Sequence, residues 1–176
     1  MYSFELDKAL TSAETGSQAI SSADALAALK MAVGRNPNGD AAGTIAASPY
    51  QFIAADVNAD GRVSSADALA ILKMAVRRTD ALPREWLFVR EDQDFWNEVT
   101  KTFTTTRTSV AWDTEPYDVT SPTKLTQNFV AVLKGDVNGS WAAPAGSEKL
   151  ADSYFTDLVA HNPNSMQLSQ WGVIAV

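Results

Sequence analysis

The run Asp56-Val57-Asn58-Ala59-Asp60-Gly61-Arg62-Val63-Ser64-Ser65-Ala66-Asp67 spaces hard oxygen donors as a divalent cation needs them. Calcium takes six to eight oxygens, and acidic or amide side chains at loop positions 1, 3 and 5 supply them while the chain turns. Asp56, Asn58 and Asp60 hold those positions, and Gly61 stands at position 6, where the turn is sharp. Arg62 offers its backbone carbonyl at position 7, Ser64 a water-bridged contact at position 9, and Asp67 closes the loop at position 12. A plain polar turn would also be rich in Asp, Asn and Gly. Five agreeing loop positions and the amphipathic segment 68–78 that follows at once favour calcium.

That segment has a twin upstream, and the pair defines the elements that must position the loop. Residues 20–35 read ISSADALAALKMAVGR and residues 63–78 read VSSADALAILKMAVRR. They differ only at Ile20/Val63, Ala28/Ile71 and Gly34/Arg77. Leu26, Leu29, Met31 and Val33, matched by Leu69, Leu72, Met74 and Val76, predict two helices that each bury a broad apolar face. Asp24 and Asp67 also stand where a carboxylate suits a helix N-terminus without any metal. Pro49 disfavours one continuous helix running into the second loop, and the Gly-, Asn- and Ala-rich stretch 36–48 reads as a surface insertion.

Duplicated loop-helix units with Asp at position 12 and no room for a long entering helix resemble the type I dockerin module, over about residues 5–80. The motif is specific in the second repeat and degraded in the first. Counting back from Asp24 puts Ala13, Thr15 and Ser17 at positions 1, 3 and 5; aligning Gly16 with Gly61 puts Thr11, Ala13 and Thr15 there. Either way only Glu14 and Asp24 remain as carboxylates, so the first loop is expected to bind calcium weakly or not at all. If function follows the resemblance, the partner is a cohesin-like β-sandwich. Loop positions 10 and 11, Ser22 and Ala23 in one repeat and Ser65 and Ala66 in the other, would then make the contact, and their near identity would permit two orientations.

A third fragment of the same pattern lies in Gly135-Asp136-Val137-Asn138-Gly139-Ser140-Trp141. Asp136, Asn138 and Ser140 fall at positions 1, 3 and 5, but no helix or closing carboxylate follows. Asp136 and Asn138 are therefore weaker calcium candidates, as is Asp24, and the half-loop would need a distant carboxylate such as Asp113 or Asp118. An Asx-type turn explains the same residues without metal.

Composition bounds the remaining possibilities. The 176 residues are 45% apolar and 20% charged, ordinary for a globular protein, and no cysteine is present to form a disulfide or thiolate site. The net charge of −7 argues against a nucleic-acid partner. No run long and apolar enough to span a membrane occurs, and the N-terminus lacks the marks of a signal peptide, which suggests a piece of a longer parent chain or another export route.

After Asp80 the texture changes. Residues 86–89, 102–112 and 129–133 read as strands of a small antiparallel sheet, with 92–100 a short helix or loop. Trp86, Trp96, Trp112 and Trp141 belong to its core rather than to a sugar platform. Residues 147–160 read as a short helix, and the apolar end 172–176 as a last strand or an uncleaved export signal of the type I secretion kind. His161 is the only histidine, and neither a nucleophile elbow nor a phosphate-binding loop occurs, so no catalytic constellation is expected.

The expected fold is α+β, a dockerin-like pair of calcium loop-helix repeats packed with a small antiparallel β region. Residues 1–80 would carry the repeats, and 81–176 the β-rich region with its C-terminal helix and tail. The expected function is a non-catalytic, calcium-binding module of a bacterial extracellular or cell-surface protein, folding with calcium and anchoring to a cohesin-like partner. The alternative is a structural C-terminal cap and export region of a large type I-secreted adhesin, recruiting no cohesin.

Overall fold

Serine hydroxyls open the principal helices. The computed structural model describes residues 2–4, 6, 8–16, 19–115, 117–119, 128–141 and 173–175. In chain order the elements are β1 (Tyr2–Phe4), α1 (Ser12–Thr15), α2 (Ser22–Ala32), α3 (Pro49–Ala55), α4 (Ser65–Ala75), β2 (Trp86–Arg90), β3 (Trp96–Asn97), β4 (Thr102–Phe103), β5 (Tyr117–Val119), β6 (Asn128–Leu133) and β7 (Val173–Ala175). Helices with small antiparallel sheets make this an α+β fold. Ser21, Ser48 and Ser64 cap α2, α3 and α4, each in a reciprocal capping box closed by Asp24, Gln51 or Asp67.

Two sequence expectations about the helices are corrected. Pro49 does not keep a helix away from the loop: it occupies the first turn of α3, where its fixed φ and missing N–H cost nothing, and α3 runs directly into Asp56. The buried faces of α2 and α4 also differ from the expected ones. Met31 and Met74 are buried, but Leu26, Leu29 and Val33, and their counterparts Leu69, Leu72 and Val76, are exposed. The inner faces are built instead from Ala25, Ala27 and Ala28 on α2 and Ala68 and Ile71 on α4. The two helices pack on each other, and small side chains let their backbones approach closely.

β6 runs between β2 and β7, antiparallel to both, with Trp86 opposite Leu133 and Asn128 opposite Ala175. The terminal segment is thus a strand over Val173–Ala175. β1 pairs with β5, and β3 with β4 in a short hairpin. Of the expected strand 102–112 only Thr102–Phe103 and a bridge between Thr106 and Ser109 are extended pairing; the Thr105 and Thr106 hydroxyls bond within the stretch, and the backbone of Arg107 and Val110 bonds the segment 61–63. Residues 92–100 contain β3 and a turn rather than a helix. The expected helix 147–160 and His161 lie outside the described residues.

One apolar cluster joins the two parts of the chain. It gathers Met31, Ile71 and Met74 from the helices with Leu133 at the end of β6 and Val137 in the turn beyond it, and Trp86 and Trp141 pack against it. The two indoles meet edge to face at 4.9 Å, and Lys8 sits over the Trp86 ring at 4.3 Å. A second cluster places Tyr50 and Ile53 of α3 against Val89, Phe95, Val130 and Val132. Trp112 borders that cluster and Trp96 packs on Phe103, so these half-buried tryptophans serve packing. Among the described residues no helix is long and apolar enough to cross a membrane.

Candidate metal centre

The loop 56–67 begins at the last turn of α3 and ends in the first turn of α4, so two helices fix its ends. Asp56 turns inward and is 7% exposed; its carboxylate accepts from the amides of Asp60 at 3.1 Å and Gly61 at 3.0 Å. Asn58 Oδ1 accepts from the Asp60 amide at 2.9 Å. Gly61 has φ +81 and Ala59 φ +58, the left-handed turns that bend the chain around its own donors. Asp67 is fully buried, and one of its oxygens accepts from the amide of Asn58 at 3.3 Å while the other accepts from the Ser64 amide and hydroxyl, each at 2.9 Å.

The loop's own bonds thus tie Asp56 and Asn58 to Asp60, and Asp67 to Asn58 and Ser64. Arg62 is exposed and its guanidinium reaches Asp60 at 3.3 Å. The amide of Val63 donates to the Arg107 carbonyl and that of Val110 to the Gly61 carbonyl, each at 2.7 Å. Arg107 and Val110 therefore clamp the second half of the loop from the β region. Sequence reasoning missed them because nothing in a threonine-rich stretch announces such a partner.

Burial raises the Asp56 carboxyl above the usual range; the Gly61 amide opposes this, and the Asp67 carboxylate adds to it. No ion pair among the described residues reaches Asp56 or Asp67. Two inward carboxylates, Asp56 and Asp67, that no basic side chain among the described residues pairs with, together with amide and hydroxyl oxygens, suit a hard cation. The donor set fits calcium.

The half-loop 136–141 has the same internal bonding. Asp136 accepts from the amides of Ser140 and Trp141, each at 2.9 Å, and Asn138 Oδ1 accepts from the Ser140 amide at 2.9 Å. Gly139 has φ +65, the conformation of Ala59. The residue facing this half-loop is Asp24, whose Oδ1 accepts from the Asn138 amide at 3.0 Å. Its other oxygen accepts from the Ser21 amide at 2.8 Å and hydroxyl at 2.9 Å. Asp24 and Asp136 are 0% and 1% exposed. Burial pushes the Asp136 carboxyl up to about 7; the Trp141 amide opposes this and the Asp24 carboxylate adds to it.

The carboxylates expected near the half-loop are elsewhere. Asp113 pairs with Arg90 at 3.3 Å, and Asp118 lies in β5 opposite Ser3. Upstream of Asp24, Thr15 lies in α1, where neither register of a first loop applies. Glu14 accepts from Lys8 at 2.5 Å and from the Thr11 amide at 2.6 Å. Ser22, Ala23, Ser65 and Ala66 are all exposed at the helix starts. Ser22, Leu26, Leu29 and Val33, like Ser65, Leu69, Leu72 and Val76, follow one another along a single helix face.

No curated protein and no solved structure matches the chain. A family model does match, that of the dockerin type I domain, over residues 15–76. The match takes in α2, α3, α4 and the loop from Asp56 to Asp67, about a third of the chain, and stops well short of Asp136. Residues 15–76 are a type I dockerin-like module.

Proposed function

We propose that this chain is a calcium-dependent docking module of a secreted or surface-bound bacterial protein. Type I dockerins are non-catalytic interaction modules that bind calcium and cohesin partners as a family. In this chain Asp56, Asn58, Asp60 and Asp67 would hold calcium by their side chains, Arg62 by its carbonyl and Ser64 through water. Calcium neutralises the inward carboxylates and so fixes the start of α4 against the end of α3.

The observation that carries the docking reading is the pair of apolar stripes turned to solvent. Leu26, Leu29 and Val33 are 55%, 44% and 66% exposed, and Leu69, Leu72 and Val76 are 56%, 41% and 62% exposed. Large apolar side chains repeated at matching positions of two packed helices, begun by Ser22–Ala23 and Ser65–Ala66, are surfaces that a partner would cover. A cohesin-like β-sandwich is the partner this reading names, and the repeat gives it two nearly equivalent ways to sit. Residues 1–80 act as the docking part, and 81–176 support them through the shared apolar cluster. The second reading, a structural cap and export region of a large adhesin, rests on the terminal apolar strand β7.

The test is binding of purified cohesin domains to the calcium-loaded chain and to chain stripped with chelator. Binding that requires calcium and is lost only when Leu26→Arg and Leu69→Arg are combined supports the docking reading. Failure of all cohesins, with calcium still stabilising the fold, supports the cap instead. Millimolar calcium at a micromolar site would add about 4 kcal/mol to the folded state. A melting temperature unmoved by chelator would count against both readings.

A further inference from the structure

We propose that Asp136, Asn138 and Ser140, together with Asp24, form a second and discontinuous calcium site. Half of its loop comes from the end of β6 and the other half from the start of α2. The inference rests on the calcium reading of the loop 56–67 and extends it to residues outside the dockerin match.

Several relations in the contiguous loop recur across the gap. Asp136-Val137-Asn138 repeats Asp56-Val57-Asn58, and Gly139 takes the left-handed conformation of Ala59. Ser140 and Trp141 donate their amides to Asp136 as Asp60 and Gly61 do to Asp56. Asn138 donates to Asp24 as Asn58 does to Asp67. Ser21 caps α2 and bonds Asp24 as Ser64 caps α4 and bonds Asp67. Val137 and Ile20 are buried in the same apolar cluster as their counterparts Val57 and Val63. The first repeat therefore has counterparts of loop positions 1, 3 and 5, delivered by a different part of the chain.

A separate energetic observation points to a cation. Asp24 and Asp136 are buried against each other, and no Lys or Arg among the described residues forms an ion pair with either. Backbone amides and the hydroxyls of Ser21 and Ser140 bond this pair, and none of these donors brings a positive charge to it. The residues that a contiguous first loop would have used are occupied otherwise, since Thr15 lies in α1 and Glu14 bonds Lys8. A calcium ion fits the oxygen-only donor set better than a transition metal, because no nitrogen or sulfur ligand is present among these residues.

The test is a calorimetric calcium titration of the metal-stripped full chain, with terbium as a luminescent probe excited through tryptophan. Trp141 lies next to the proposed ligand Ser140, so Trp141→Phe should dim terbium emission from this site. Two calcium ions per chain are expected, falling to one in Asp136→Asn or Asn138→Ala and to one in Asp56→Asn. Because loss of Asp136 could disturb folding, Ser140→Asp supplies an independent readout. Ser140 is exposed, and a carboxylate there matches Asp60, so the weaker calcium affinity should rise about tenfold. One ion per chain, lost in Asp56→Asn and unchanged by Asp136→Asn, Asn138→Ala and Ser140→Asp, overturns this inference and leaves the first site standing. No calcium bound by the native chain overturns both.

Discussion

The amide of Asn138 donates to Asp24 at 3.0 Å across 114 residues of sequence, and the amide of Asn58 donates to Asp67 at 3.3 Å inside one loop. The same bond is made once by neighbours and once by segments from opposite ends of the described chain. It makes the β region part of the first repeat's architecture and not an appendage to it.

Gly135, in the turn that follows β6, lies close against Ile20 and Met74. It has φ +96, and a Cβ there would meet Ile20 Cδ1 at 3.0 Å and Met74 Cε at 3.2 Å. Gly135→Ala should destabilise the protein by about 2 to 3 kcal/mol through strain and overpacking together. Gly139→Ala should cost only about 1 kcal/mol, since Ala59 already adopts that conformation. Urea unfolding of the two variants side by side separates them.

The two faces of the repeated helices should respond oppositely to truncation. Met31→Ala or Met74→Ala removes a buried side chain and should cost about 2 to 5 kcal/mol. Leu26→Ala or Leu69→Ala should change stability by about 0.5 kcal/mol or less, because these side chains face solvent. Equal losses from both sets in thermal unfolding would place the exposed leucines inside the fold.

Gly34 and Arg77 end the equivalent helices in the same left-handed conformation, at φ +77 and φ +54. Glycine relieves the Cβ strain there but leaves a more disordered unfolded chain. Arg77→Gly should therefore stabilise by about 0.5 to 1 kcal/mol net. A raised urea midpoint with an unchanged slope is the expected result.

Glu14 should set part of the acid response. Burial works against its charge, but the bonds from Lys8 and from the Thr11 hydroxyl and amide outweigh that and hold its carboxyl at about 2. Its folded pKa lies below the ordinary value, so its contribution is present above about 4.5 and is lost as pH falls towards 2. Glu14→Gln should flatten that limb of the stability curve while leaving stability near neutral pH reduced. An unchanged acid limb in Glu14→Gln would assign it to other carboxylates.

How much of this was legible in the sequence depends on how local each feature is. The loop 56–67 and both helices could be read because donors, turn glycine and helix lie within one continuous segment. The dockerin resemblance followed from them. The buried faces depart from the expected ones because side-chain size does not mark the core of this helix pair. Here the inner faces are Ala25, Ala27 and Ala28 on α2 and Ala68 and Ile71 on α4, and the leucines are left outside. The entering helix α3 is not legible because a proline can break a helix or start one, and Pro49 stands at a start. Asp24 was seen as a carboxylate with no loop, and Asp136 as a loop with no carboxylate; only the fold brings the two together.

In a chain without cysteine, the meeting of Asp24 with the half-loop takes the place of a covalent tie. A disulfide closing a span of about a hundred residues would restrict the unfolded ensemble by about 4 to 5 kcal/mol. An ion held between these two segments would close nearly the same ring, yet it would be indifferent to redox state and would open when calcium is withdrawn. The molecule would then carry a reversible cross-link whose reagent is the medium around it.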